Sequence, residues 1–161
     1  MIPAVTALAV VVLDQITKLA IVHAFSRGEQ VSVLGTVLML GHAQNSGAVF
    51  GIMKGGARFL TVFSVVAAAA MVVALYLARR ASWSIKIGLS LVLGGAVGNL
   101  IDRLRLGAVV DFIDIGVNDR IRWPSFNVAD LAITVGIILL LASSLRPSRS
   151  HCSAGDQGKV F

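Results

Sequence analysis

The chain has 161 residues, 57% of them hydrophobic and 14% charged, with a formal net charge of +6; its mean hydropathy is +0.87. A chain this apolar lies outside the soluble globular range and reads as a membrane protein of a single domain. The positive balance does not point to nucleic acid, because the basic residues fall in ones and twos between apolar runs, without a basic stripe or interleaved aromatics; they read instead as topology signals.

The first apolar stretch, about 3 to 23, lacks the basic start of a signal peptide, and Asp14, Gln15 and Lys18 interrupt it, so a retained membrane span is expected. The loop from about 24 to 58 is rich in Val and Leu, partly alternating, and punctuated by Gly35, Gly41, Gly47 and Gly51. That pattern predicts short strands with turns, a small sheet resting on the helix ends or the bilayer. The second span, about 59 to 78, is free of charge, and the short connection after it carries Arg79, Arg80 and Lys86 without an acid. The third span, about 84 to 102, ends in "GNLIDR", and the loop from about 103 to 126 contains Asp111, Asp114 and Asp119, balanced by Arg103, Arg105, Arg120 and Arg122. The fourth span, about 127 to 145, opens with "NVAD". Each span has the roughly 20 residues that a helix needs to cross a hydrocarbon core of about 30 Å. Residues 1–145 are thus expected to form one membrane domain, and 146–161 a disordered polar cytoplasmic tail that holds the lone Cys152.

The positive-inside rule places Arg79, Arg80, Lys86, Arg146 and Arg149 in the cytoplasm, and with them both termini. The two longer loops then face outward, and Trp83 and Trp123 sit at opposite interfaces.

Ionisable groups in a span should face the bundle interior and raise a functional hypothesis. Asn99, Asp102 and Arg103 share a helical face at the outer end of the third span. Asn127 is a good N-cap for the fourth, but Asp130 lies three residues deeper, where capping alone does not explain it. Asp14 and Lys18, at i and i+4, read equally well as a structural ion pair or as substrate contacts. Asn45, in "QNSG", is explained either by turn chemistry or by a site. Asp114 and Asp119 are expected to be solvated or paired with Arg120 and Arg122. His23, His42 and His151 have no metal spacing, and no nucleophile elbow is present, so no metal or cofactor is expected. Carboxylates are left as the reactive groups gathered at one membrane face; two held close cannot both ionise readily, which is the working state of an aspartic protease. The competing class is a small ion or solute carrier with a polar path through the bilayer, although such a path needs polar groups at every depth.

Five motifs in order, "DQITK", "NSGAVFGI", "GGAVGNLIDR", "VVDFID" and "FNVADLAITVG", closely resemble the lipoprotein signal peptidase (signal peptidase II) family over about residues 8 to 140. The resemblance implies a bacterial inner-membrane aspartic endopeptidase that cuts prolipoproteins immediately before a diacylglyceryl-modified cysteine, is blocked by globomycin, and works at the outer, periplasmic face. It implies four transmembrane helices with an outer β-cradle and an extra-membrane helix. By motif the dyad falls on Asp111 and Asp130, with Asp14, Lys18, Asn45, Gly47, Asn99, Arg103 and Asn127 supporting the site or substrate. Asp102, nearer a helix end, is the rival that spacing alone favours. A monomer among membrane lipids is expected, and "NSGAVFG" departs from the family's common Asn-Thr-Gly-Ala-Ala-Phe only in small residues.

Overall fold

The computed structural model describes residues 1–47, 56–118 and 120–145, with the side chains of 56 and 57 left aside. Four helices, α1 (Ile2–Ala24), α2 (Gly56–Leu77), α3 (Trp83–Leu106) and α4 (Val128–Ser144), are accompanied by a small sheet of β1 (Gln30–Leu34), β2 (Leu38–Asn45) and β3 (Val109–Ile115). The fold class is therefore the expected helical membrane bundle with a small extra-membrane sheet. Helices α1, α2 and α3 are each long and apolar enough to cross a membrane. Helix α4, expected at about 127 to 145, is shorter at 17 residues, the low end of the spanning range of roughly 17–25. It starts later because Asn127 is spent as its cap. The implied extra-membrane helix is absent from the described residues, where the remaining helical element is a 3₁₀ turn at Ala78–Arg80. Gly51, Asp119, Cys152 and the rest of the 146–161 tail lie outside them.

The helices are turned as a lipid solvent requires. The buried residues of α1 are Asp14, Lys18 and Ile21, whereas Leu8, Leu13 and Ile16 are exposed. Polar groups that would face water in a soluble helix face protein here.

Helix α3 is the central element, packed against α1, α2 and α4. Two of its glycines make the close approach to α1 that small residues at this spacing allow. A Cβ on Gly94 would lie 2.8 Å from the Ala7 carbonyl, and one on Gly98 would lie 2.6 Å from Asp14 Oδ2. Gly98 thus makes room for a buried carboxylate as well as for a backbone. At its far end α3 stops at Gly107, whose φ of 68° provides a left-handed cap, and the chain turns straight into β3.

Sequence reading left Asp111 on a loop folding back to the membrane; it lies instead inside β3. The sheet is antiparallel in the order β1-β2-β3, with Ala43 opposite Asp111 and Asn45 opposite Val109. Isolated bridges of Ile113 to Phe126 and Gly116 to Arg122 fold the following loop back onto β3. Pairing with strands on one side and this loop on the other fixes Asp111 far more firmly than a loop could. A small apolar cluster of Ile21, Val110 and Phe112, with Phe25, Leu40 and Val128 against it, seats the sheet on the ends of α1 and α4.

Candidate active site

Where α1, α3, β3 and the start of α4 meet, the structure gathers Asp14, Lys18, Asn99, Asp102, Asp111 and Asn127, all buried, with Asp130 half-buried at the margin. The cluster divides into two parts.

The first part is organised by Lys18. An ammonium has three protons to donate and accepts none, and Lys18 Nζ places them on Asp14 Oδ2 at 2.8 Å, Asp102 Oδ2 at 2.8 Å and Asn99 Oδ1 at 2.9 Å. The ion pair weighed from the sequence is present, but it is shared with Asp102 from another helix. Gln15, read from the sequence only as an interruption of the span, closes this part from the side. Its Nε2 reaches Asp14 Oδ2 at 3.2 Å, Asp102 Oδ1 at 3.1 Å and the Gly98 carbonyl at 3.2 Å. A polar residue beside two charges in an apolar span was the available signal.

The same two carboxylates hold backbone. Asp14 Oδ1 accepts from Ala129 N at 2.9 Å, and Asp102 Oδ2 accepts from Val110 N at 3.1 Å. These are the residues immediately before Asp130 and Asp111.

The second part contains Asp111 and Asp130, with asparagine amides between and around them. In each amide a donor fixes the oxygen and leaves the NH2 for a carboxylate. Lys18 fixes Asn99 Oδ1, so Asn99 Nδ2 donates to Asp130 Oδ1 at 2.7 Å. The helix cap fixes Asn127 Oδ1 on Asp130 N at 2.9 Å, so its Nδ2 donates to Asp111 Oδ1 at 2.7 Å and to Asn99 Oδ1 at 3.2 Å. The Gly47 N–H fixes Asn45 Oδ1 at 2.9 Å, so Asn45 Nδ2 donates to Asp111 Oδ2 at 3.1 Å. Asn45 therefore serves turn and site together. Gly47 is needed for this turn, because its φ of +82° disfavours a side chain and a Cβ would collide with Leu60.

Asp130 also completes a capping box, with Asn127 N 3.4 Å from its Oδ2. Its depth in the first turn, which capping seemed unable to explain, is thus partly accounted for by capping. Arg103 leaves the face of Asn99 and Asp102 and turns toward α2, where Nη1 donates to Ser64 Oγ at 3.2 Å and to the Asn99 carbonyl at 3.4 Å. Its guanidinium stays within electrostatic reach of Asp130 and Asp111. Asp114 is outside the cluster, paired with Arg122 Nε at 2.9 Å.

Asp111 is 1% exposed. Burial pushes its carboxyl up from the ordinary 3.8 to about 6, the negative charge of Asp130 adding to the rise while Asn45, Asn127 and Lys18 oppose it. A carboxyl so raised can hold a proton near neutral pH beside an ionised neighbour. Two clefts meet at Pro124 and Ser125: one of about 340 Å³, bounded by Trp123, Phe126, Leu131 and Thr134, reaches Asp130, and the other, about 420 Å³, reaches Asn45. Among the described residues, no group of three His, Cys, Asp or Glu is arranged to hold a metal ion.

A family model described as Signal peptidase (SPase) II matches residues 6–146. A lipoprotein signal peptidase of Shouchella clausii is 38% identical over 147 residues, covering 91% of this chain and 95% of the relative. Another, from Cupriavidus necator, is 45% identical over 149 residues, or 90% and 83% of the two chains. A solved structure described as a bacterial membrane enzyme, obtained by the in meso method, matches with a TM-score of 0.79 and 32% identity over 89% of this chain and 92% of that one. With sequence and fold in agreement over nearly its whole length, the chain belongs to the signal peptidase II family of membrane proteases.

Proposed function

We propose that this protease removes signal peptides from prolipoproteins, cutting immediately before the diacylglyceryl-modified cysteine, and that Asp111 and Asp130 are its catalytic dyad. The observation that carries the assignment is the amide bridge between them: Asp111, Asn127, Asn99 and Asp130 form one chain of hydrogen bonds, and none of the salt bridges among the described residues reaches either carboxylate. Amides orient two carboxylates without neutralising them, so like-charge repulsion keeps one proton on the pair. Asp102 is the weaker candidate, since its oxygens are already taken by Lys18, Val110 N and Gln15.

In this reading Asp111, with its raised pKa, holds the proton and Asp130 is the base. A water between them loses a proton to Asp130 as it attacks the scissile carbonyl, and Asp111 donates its hydrogen bond to the developing oxyanion. The tetrahedral intermediate then collapses: Asp130 passes the proton it took from water to the peptide nitrogen, the C–N bond breaks, and the amine leaves. The two clefts at Pro124 carry the peptide on either side of the dyad, and the lipid chains remain in the bilayer. Arg103, Asn45 and Gly47 shape the site around the substrate. The protein works as a monomer in the bacterial inner membrane, with both termini cytoplasmic and the dyad at the outer face, where globomycin-type inhibitors compete with substrate.

The test is cleavage of a lipidated prolipoprotein by purified enzyme. Asp111→Asn and Asp130→Asn abolish it while the protein stays folded; an active Asp111→Asn beside an inactive, folded Asp102→Asn would move the dyad to Asp102. A carrier reading has less support, because the buried carboxylates Asp14, Asp102 and Asp111, with Asp130 beside them, gather at one end of the bundle.

A further inference from the structure

The opposite end of the bundle carries cations without acids. There a pocket of about 270 Å³ is lined by Met1, Pro3, Leu75, Arg79, Trp83 and Lys86. Both cations rest on aromatic faces. Arg79 Cζ is 4.8 Å from the centroid of the Tyr76 ring, and Lys86 Nζ is 5.0 Å from that of Trp83. Such contacts hold a cation in place but leave its hydrogen-bond donors unused. None of the salt bridges among the described residues involves Arg79 or Lys86. Neither positive charge is spent on holding the fold together.

We infer that this pocket binds the phosphate of an anionic phospholipid. Its position suits that occupant. It opens where α1 begins and where α2 gives way to α3, so it lies at headgroup depth if these helices span the bilayer. Leu75, Pro3 and the Met1 side chain supply apolar lining beside the cations, which suits the glycerol and acyl chain attached to a phosphate. Arg79 can meet phosphate oxygens with a planar fork, and Lys86 adds a point charge. Basic pockets between helix ends recognise acidic headgroups in this way. Arg80, adjacent in sequence and equally charged, does not line the pocket. It separates a built site from a general positive surface.

Trp83 is one of two tryptophans in the chain, so Trp123→Phe leaves it as the sole reporter. The enzyme is reconstituted into phosphatidylcholine vesicles containing brominated phosphatidylglycerol or brominated phosphatidylcholine, and quenching of Trp83 gives the relative affinity of the two lipids. At about fivefold per basic residue, a preference of about 25-fold for phosphatidylglycerol is expected, falling about fivefold in Arg79→Gln or Lys86→Gln. Arg80→Gln should change it less than about twofold, and the charge-preserving pair Arg79→Lys with Lys86→Arg should retain most of it. Cleavage by the Gln variants in detergent, measured against the Trp123→Phe parent, reports that they are folded. Equal quenching by the two lipids, or an Arg80→Gln effect as large as that of Arg79→Gln, overturns the site. Relief of quenching by millimolar glycerol phosphate overturns the lipid as occupant in favour of a soluble phosphate compound.

Discussion

Two pairs of aspartates share one buried cluster and differ in what stands between them. Between Asp14 and Asp102 is the ammonium of Lys18, 2.8 Å from each. Between Asp111 and Asp130 are the neutral amides of Asn127 and Asn99. An ion pair balances the charge of the carboxylates it joins and suits them to a structural part; amides orient two carboxylates and bring no charge to balance theirs. The first pair in turn grips the chain one residue before each member of the proposed catalytic pair, at Ala129 and Val110. On the proposed assignment, chemistry and scaffold use the same residue type, distinguished by the partner each receives.

That contrast can be broken from either side. The largest effect is expected from Asp111→Asn or Asp130→Asn, which should lower the cleavage rate by about a thousandfold or more with little change in thermal unfolding in detergent. Lys18→Met should do the reverse in kind. It strands two buried carboxylates and should destabilise the protein by about 3–5 kcal/mol, read as a lower unfolding midpoint, with a smaller loss of activity per folded molecule because Asn99 Oδ1 loses its donor. Cutting the amide bridge with Asn99→Leu should reduce kcat by roughly 10- to 100-fold, as expected when a hydrogen bond to a charged group worth about 1.5–3 kcal/mol disappears. Asn45→Ala has a smaller effect of defined direction. The Asn45 hydrogen bond lowers the Asp111 pKa, which stands near 6, so its removal should move the alkaline fall of kcat/KM to higher pH. The stability linkage runs the same way: the folded carboxyl sits above its ordinary 3.8, so the stabilisation from its proton is complete below that value and is lost as pH rises through about 6. Arg122→Gln, at the Asp114 pair outside the cluster, should cost less than about 1 kcal/mol and leave cleavage intact.

Much of this contrast could be read from the order of residues. Length and hydropathy gave the spans, and charges placed inside apolar runs marked Asp14, Lys18, Asp102 and Asp130 as inward-facing. Motif resemblance selected Asp111, which spacing alone would have passed over for Asp102. Partners were not legible. Lys18 meets Asp102 across 84 positions of chain, and a helical wheel shows only its i−4 neighbour. The strand that carries Asp111 was also missed, because "VVDFIDI" is short and its pairing comes from β2 on one side and from the loop at Arg122 and Phe126 on the other, far away or across a turn. Gln15 was overlooked because its three acceptors lie on two helices. Local pattern says which side chains must turn inward; only packing decides whether they meet a cation or an amide.

Infrared spectroscopy of the carboxyl C=O stretch at pH 5, comparing wild type with Asp111→Asn and Asp102→Asn, tests the division most directly. At that pH Asp111 should carry a proton, given its value of about 6, whereas the oxygens of Asp102 are taken by Lys18, Gln15 and Val110 N. A protonated-carboxyl band present in the wild type and in Asp102→Asn but missing from Asp111→Asn is the expected result. A band that survives Asp111→Asn and disappears in Asp102→Asn would contradict it.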